Sequence, residues 1–384
     1  MKKLLALVLA IVLCMGLAAC GTTVVVVEDP AAESEAPAVE SEAPEAAEST
    51  APEAETEEPV TAAETVEVPE GELALGFYMV AAYAGGHSGS TNATADADGL
   101  AQANVDIYAV TINSEGVIVD CKIDAIQCKT SFDATGALVS EIGAVNLSKM
   151  ELQDDYAMRA ASSISAEWFE QVEALEDYCI GKTPAEVAGI ALDDSGKATD
   201  ADLIAGITMP LPSFIDGVVQ ACNNARVSGA MEGDTLYLES DSYLSDSSAA
   251  ATADADGLAQ CDTTAGAYTI SADGVITDIE LDCVQTKINF NASGELTTAE
   301  GTTWTTKTDL EYDYHMQGAS PIGKEWFEQT NFFEDYCKGK TVDEIAGIEV
   351  NPDNGHVAES EVDLVAGTTM NISSFVNVIN KSQA

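Results

Sequence analysis

From Asn104 to Asn113 the chain reads NVDIYAVTIN, with apolar and polar residues alternating at period two. Ser114-Glu115-Gly116 interrupts the run, and Val117 to Cys128 (VIVDCKIDAIQC) resumes it. Side chains of a strand point to opposite faces at each step, so two such runs around a short Gly-containing loop predict an antiparallel hairpin. The pattern recurs over Ala265–Ser271, Ala272-Asp273-Gly274 and Val275–Gln285, and Leu75 to Tyr83 predicts a further strand closed by Gly85-Gly86. Downstream the period lengthens. Ser165 to Cys179 places Trp168, Val172, Leu175 and Cys179 on one helical face, with acidic residues opposite and Gly181 as the stop. Thr183-Pro184-Ala185-Glu186 opens a short helix with Thr as cap, Pro in the first turn and Glu three residues on. Ser213–Cys222 and Ser374–Asn380 predict closing helices. Hairpins followed by helices predict an α+β fold, each unit an antiparallel hairpin-rich sheet packed with several helices.

The pattern is duplicated. ATADADGLAQ occurs at Ala93–Gln102 and again at Ala251–Gln260, an offset of 251 − 93 = 158 residues. The same offset carries Gly116 onto Gly274, Phe132 onto Phe290, Trp168 onto Trp326 and Cys179 onto Cys337. Solenoid units run roughly 20–50 residues, so this period is domain-sized. It predicts tandem copies over 72–225 and 226–384.

Charge narrows the partners. With 66 acidic against 15 basic side chains the formal charge is −51, which opposes the Lys/Arg-driven counterion release that nucleic-acid binding needs. It equally opposes a basic patch on anionic headgroups. At the N-terminus, Lys2-Lys3, an apolar run from Leu4 to Leu13 and Leu17-Ala18-Ala19-Cys20 resemble a lipoprotein signal. The resemblance implies a signal over 1–19, a diacylglyceryl group on Cys20, and attachment to the outer face of the cytoplasmic membrane. From Glu28 to Gly71 the chain is mostly Ala, Glu, Pro, Ser and Thr, without Lys or Arg, which predicts an extended acidic linker over 20–71. Seven cysteines remain beyond Cys20, and Cys121 and Cys128 share one predicted strand about 20 Å apart at roughly 3.3 Å per residue. No disulfide framework follows, and the thiols read as small buried hydrophobes.

Candidate chemistry lies at the last turn of each copy. Asp202-Leu-Ile-Ala-Gly206-Ile-Thr208-Met and Asp363-Leu-Val-Ala-Gly367-Thr-Thr369-Met each precede a closing helix. Together with the hairpins YAVTINSEGVIVDCKID and YTISADGVITDIELD, they resemble the FMN-binding domain of exported bacterial flavoproteins. In that family a flavin transferase joins FMN by a phosphoester to the last Thr of the motif Asp-x-x-Ser/Thr-Gly-Ala-Thr. The resemblance implies that Thr208 and Thr369 are acceptors, Gly206 and Gly367 the motif glycines, and Asp202 and Asp363 its acids. It also implies an electron carrier served by a membrane redox donor, with no substrate of its own. Ala205 and Ala366 depart from the family's hydroxyl residue, and Ile207 and Thr368 from its alanine. The alternative is a surface binding or structural module that keeps the fold without cofactor.

Other motifs read as structure. Asp96-Ala-Asp98-Gly99 lacks the ligands of a calcium loop, and Gly181-Lys182-Thr183 lacks the first glycine of a phosphate loop. Trp168 and Trp326 read as core, with stacking on a flavin ring as the functional option. His87, His315 and His356 are unmatched between copies, which argues against a shared zinc or acid–base site.

Overall fold

A computed structural model describes residues 66–85 and 89–383. The expected signal, Cys20, His87 and the linker before Val66 lie outside the described residues. In chain order the elements are β1 (Ala74–Tyr83), β2 (Gly99–Ile112), β3 (Ile118–Phe132), α1 (Lys149–Leu152), α2 (Trp168–Cys179), α3 (Pro184–Ala188), α4 (Ala201–Gly206) and α5 (Pro212–Asn224). There follow β4 (Thr235–Leu244), β5 (Gly257–Ile270), β6 (Ile276–Phe290), β7 (Thr303–Trp304), α6 (Lys307–Leu310), α7 (Trp326–Cys337), α8 (Val342–Ala346), α9 (Val362–Val365) and α10 (Ser373–Asn380). The strands form two antiparallel sheets, ordered β3-β2-β1-β7 and β4-β5-β6.

Each sheet is covered on both faces, which explains why no residue of β2 or β5 is exposed. On one face of the first sheet, Tyr108, Val110, Ile123 and Cys121 pack with Trp168 and Val172 of α2 and Val218 of α5. On the second sheet, Tyr268, Ile279 and Leu281 pack with Phe333 of α7 and Val378 of α10. The remaining faces share a single apolar cluster that joins Leu75, Val105, Ile107 and Phe132 to Leu236, Ala267, Val284 and Phe290. The layers are therefore helix, sheet, sheet, helix.

Contacts between the sheets are reciprocal. Phe132 stacks on Phe290, its counterpart at the 158-residue offset, with centroids 4.4 Å apart and planes 13° from parallel. Ala93 N–H donates to Gly294 O at 2.8 Å, and Ala251 N–H to Gly136 O at 2.7 Å. Gly136 and Gly294 have φ of +71° and +72°, and a Cβ on either would fall within 3 Å of an alanine Cβ opposite. Only glycine meets both demands. The outer edges are covered in the same way: β7 pairs with β1 (Ala82↔Thr303), and Val145 bridges Tyr243 of β4.

Several boundaries differ from the sequence reading: β5 begins at Gly257 rather than Ala265, and β3 and β6 run on to Phe132 and Phe290 rather than ending at Cys128 and Gln285. Ser165 adopts a left-handed φ of +55°, so the helix expected from Ser165 begins at Trp168. Strand β2 begins at Gly99 rather than Asn104, because buried Gln102 finds partners there, donating to Asn104 Oδ1 at 3.0 Å.

Candidate functional site

The closing turn begins at α4, whose cap Asp200 accepts the Asp202 N–H at 2.9 Å. The helix ends at Gly206, Ile207 is extended, and Thr208 follows, half-buried. Both the backbone N–H and the hydroxyl of Thr208 donate to Gln171 Oε1 of α2, at 3.0 and 3.2 Å. Gln171 is fully buried, and its amide nitrogen donates to Ser162 Oγ and Ala166 O, both at 3.2 Å. At the second turn the half-buried Thr369 gives the same two donors to Gln329 Oε1 of α7, at 2.8 and 3.3 Å. Gln329 in turn donates to Ser320 Oγ and Lys324 O, both at 3.1 Å. Each glutamine thus has two donors at its oxygen and two acceptors at its nitrogen, a satisfied clamp that fixes the threonine backbone and aims its hydroxyl. The glutamines escaped the sequence reading, although Gln171 and Gln329 match at the 158-residue offset.

The motif glycines sit against the neighbouring helix. A Cβ on Gly206 would lie 2.5 Å from Ala174 Cβ, and one on Gly367 would lie 2.2 Å from the Phe332 ring. Their absent side chains let α4 and α9 close onto α2 and α7. Asp202 and Asp363 are exposed, and the two threonines border different apolar clusters, Thr208 beside Ile207 of the one packed around Trp168 and Thr369 beside Met370 of the one packed around Phe333.

Thr368 occupies the place of Ile207, three residues having been added between Gly347 and Asp363 relative to the first turn. Ile207 is buried in apolar surroundings, whereas the buried Thr368 Oγ1 has no hydrogen-bond partner. An unmet buried hydroxyl costs about 1–3 kcal/mol, so Thr368→Val should raise the unfolding free energy by about 1 kcal/mol in urea titration. An unchanged or lower midpoint would show that the hydroxyl has a partner in solution.

A second matched constellation lies near each sheet. Ser148 caps α1 through Glu151 N–H, and Thr306 caps α6 through Asp309 N–H. Buried Asp124 and Asp282 each accept a backbone N–H of the following turn at 3.1 Å. The caps position Lys149 over the Tyr156 and Trp168 rings, at 5.1 and 4.8 Å, and Lys307 over Tyr314 and Trp326, at 5.0 and 5.4 Å. Burial pulls the Lys149 ammonium below its ordinary pKa, opposed by Asp106 and Asp124. These lysines were legible only as a matched Ser/Thr-Lys-x-Glu/Asp cap.

Beside α10 lies a cavity of 770 Å³ whose lining includes Lys307, Trp326, Tyr243, Phe375, Asn354 and Asn371. Asp241, Asp246, Asp262 and Asp353 also line it. Asn371 stands two residues beyond Thr369, so the second closing turn runs into this cavity. Trp168 is wholly core at 2% exposure, whereas Trp326, at 5%, also borders the cavity. The Asp96–Gly99 segment is a turn organised by Thr94 Oγ1, which accepts the Ala97 N–H at 3.1 Å. Among the described residues, no group of three or more His, Cys, Asp or Glu is arranged to hold a metal ion.

Comparison with known proteins gives a narrow likeness. No family model and no solved structure matches the chain. A 47-residue stretch is 49% identical to a protein named chlorophenol reductase from Desulfitobacterium hafniense, covering 12% of this chain and 14% of that protein's length.

Proposed function

We propose that the chain is a lipid-anchored surface carrier of electrons, built on a duplicated FMN-binding-like unit, with FMN joined by a phosphoester to Thr208 and Thr369. The observation that carries this reading is the repeated clamp: each threonine is half-buried, with its hydroxyl aimed by a buried glutamine. The reciprocal contacts between Phe132 and Phe290, and between Gly136 and Gly294, support descent from one duplicated unit. The cavity beyond Thr369 supports the second copy as the better flavin site. Its aromatic walls suit a planar heterocycle and its asparagines suit polar ring edges, with Lys307 standing among the carboxylates of Asp241, Asp246, Asp262 and Asp353. The flavin, when bound, supplies the redox chemistry. The chain's own residues would hold the acceptor at the turn and tether the assembly to the membrane.

A cofactor-free binding module is the second reading. It is favoured by the packing of Gly206 on Ala174 and Gly367 on Phe332, and by the use of both threonine hydroxyls in internal hydrogen bonds. Co-expression with a flavin transferase separates the two. The carrier reading expects a band that fluoresces on a denaturing gel under ultraviolet light and is lost in Thr208→Ala plus Thr369→Ala. A colourless protein under those conditions supports the module.

A further inference from the structure

The cavity beside α10 carries a charge that flavin chemistry does not call for. Four carboxylates line it, Asp241, Asp246, Asp262 and Asp353, against the single ammonium of Lys307. That ammonium is turned onto the Tyr314 and Trp326 rings. Among the described residues, none of the four carboxylates has a Lys, Arg or His partner within 4.0 Å. Neutral amides serve them instead. Half-buried Asp262 accepts from Gln260 Nε2 at 2.8 Å and from Gln285 Nε2 at 3.2 Å, and half-buried Asp241 accepts from Asn377 Nδ2 at 3.2 Å. Asp246 and Asp353 are exposed. Carboxylates that the chain leaves without a counter-charge attract a cation from outside.

The rest of the lining selects the kind of cation. Tyr243, Trp326 and Phe375 add aromatic surface, to which a positive group is drawn by the ring quadrupole. Ile142 and Val145 also line the cavity although they are 49% and 63% exposed. They lie in the segment that bridges to β4 at Tyr243. Their counterparts at the 158-residue offset are Glu300 and Thr303, so the fold of this segment does not require apolar residues there. Asp262 likewise stands where the first copy has Asn104, and Gln102 donates to Asn104 as Gln260 donates to Asp262. An amide satisfies that position, so the carboxylate is not demanded by packing. The volume of 770 Å³ falls within the roughly 300–1,000 Å³ of small-molecule sites. A bare metal ion is the poorer fit, since among the described residues no three of His, Cys, Asp or Glu are grouped to hold one.

We propose that this cavity binds a small organic cation, an ammonium group carried on an apolar or aromatic body. Asp241 and Asp262 meet the charge, and Tyr243, Ile142 and Val145 take the body. No covalent bond is made or broken, so the complex is reversible and weakens as salt screens the carboxylates. The proposal rests on these carboxylates and on the apolar edge, whereas the flavin reading rests on the clamp at Thr369. It concerns the chain without FMN, and either reading can fail alone.

The test titrates the full-length chain, expressed without a flavin transferase, with benzyltrimethylammonium in a calorimeter at low ionic strength. The expected result is saturable binding at one site. Benzenesulfonate, with the same ring and the opposite charge, should give none. Asp241→Asn plus Asp262→Asn should weaken the affinity about tenfold. Asp96→Asn plus Asp98→Asn removes as much charge from a turn outside the cavity lining and should change the affinity by less than about twofold. Val145→Lys places a cation at the apolar edge on an exposed side chain, and should also weaken binding about tenfold. That variant decides the matter if the Asp241 and Asp262 pair folds poorly. No saturable binding, or equal binding of benzenesulfonate, would overturn the proposal. So would an equal loss in the two aspartate pairs, which is the mark of unselective attraction to a chain of formal charge −51.

Discussion

Phe132→Ala should lower the unfolding free energy by about 3–5 kcal/mol, and Phe290→Ala by a similar amount. Both rings are fully buried and each is the other's stacking partner across the sheets. Truncation removes the transfer free energy of the ring and leaves a cavity, and the surrounding backbone is poorly placed to collapse into it. Gly99 and Gly257 already lie so close that a Cβ on either would fall within 3 Å of the Phe132 or Phe290 ring, respectively. Because the rings touch, the losses should not add: the double alanine variant should cost less than the sum of the single ones. Urea unfolding followed by tryptophan fluorescence measures all three. Single losses below about 1 kcal/mol would mean that the shared cluster contributes little and that the two sheets are stable apart.

A comparably large effect should come from pH. Burial raises the carboxyls of Glu176 and Glu280 to about 8, of Glu239 and Glu334 to about 7, and of Asp124 and Asp282 to about 6. Glu176 and Glu334 remain raised although each accepts a backbone N–H at 2.7 Å, from Ile123 and Leu281. Glu280 remains raised beside its ion-pair partner Arg226 because burial outweighs the cation. The folded-state values lie above the unfolded ones of roughly 4, so between them the folded chain binds more protons than the unfolded chain. The stabilisation is full below about pH 4 and is lost as pH rises toward about 8. Repulsion within a chain of formal charge −51 acts in the same direction. Allowing for partial solvation and nearby cations, a total loss on the order of 5 kcal/mol between pH 5 and pH 8 is expected. Thermal midpoints across this range measure it, and Glu334→Gln should flatten the profile. A midpoint that climbs from pH 5 to pH 8 would mean these carboxyls are ionised in the fold.

The strands and long helices were legible because the hairpins alternate strongly and Trp168, Val172, Leu175 and Cys179 mark one helical face. Strand β4 escaped for a physical reason. Its sequence TLYLESDSYL carries Ser240 and Ser242 at buried positions, so a polar pattern hides an inward face whose hydroxyls find partners across the chain, Ser242 with Thr263 at 2.8 Å. The antiparallel character of both sheets follows from hairpin turns. That the sheets face each other does not, because it depends on contacts such as Ala93 to Gly294, about two hundred residues apart. At the closing turns, local sequence marked Gly206 and Thr208 but not Gln171, which reaches the turn from 37 residues earlier in the chain. Nor could it show that Ala174 stands where a Cβ on Gly206 would go. The cavity likewise collects Tyr243, Lys307, Trp326 and Asn371 from four separate segments.

The flavin account is tested most directly by digesting protein co-expressed with a flavin transferase and weighing the peptide that contains Thr369. The account predicts a peptide heavier by one FMN less water, with fragmentation assigning the phosphoester to Thr369 and not to the adjacent Thr368. An unmodified peptide, from a preparation in which the same transferase loads a known acceptor, would contradict it.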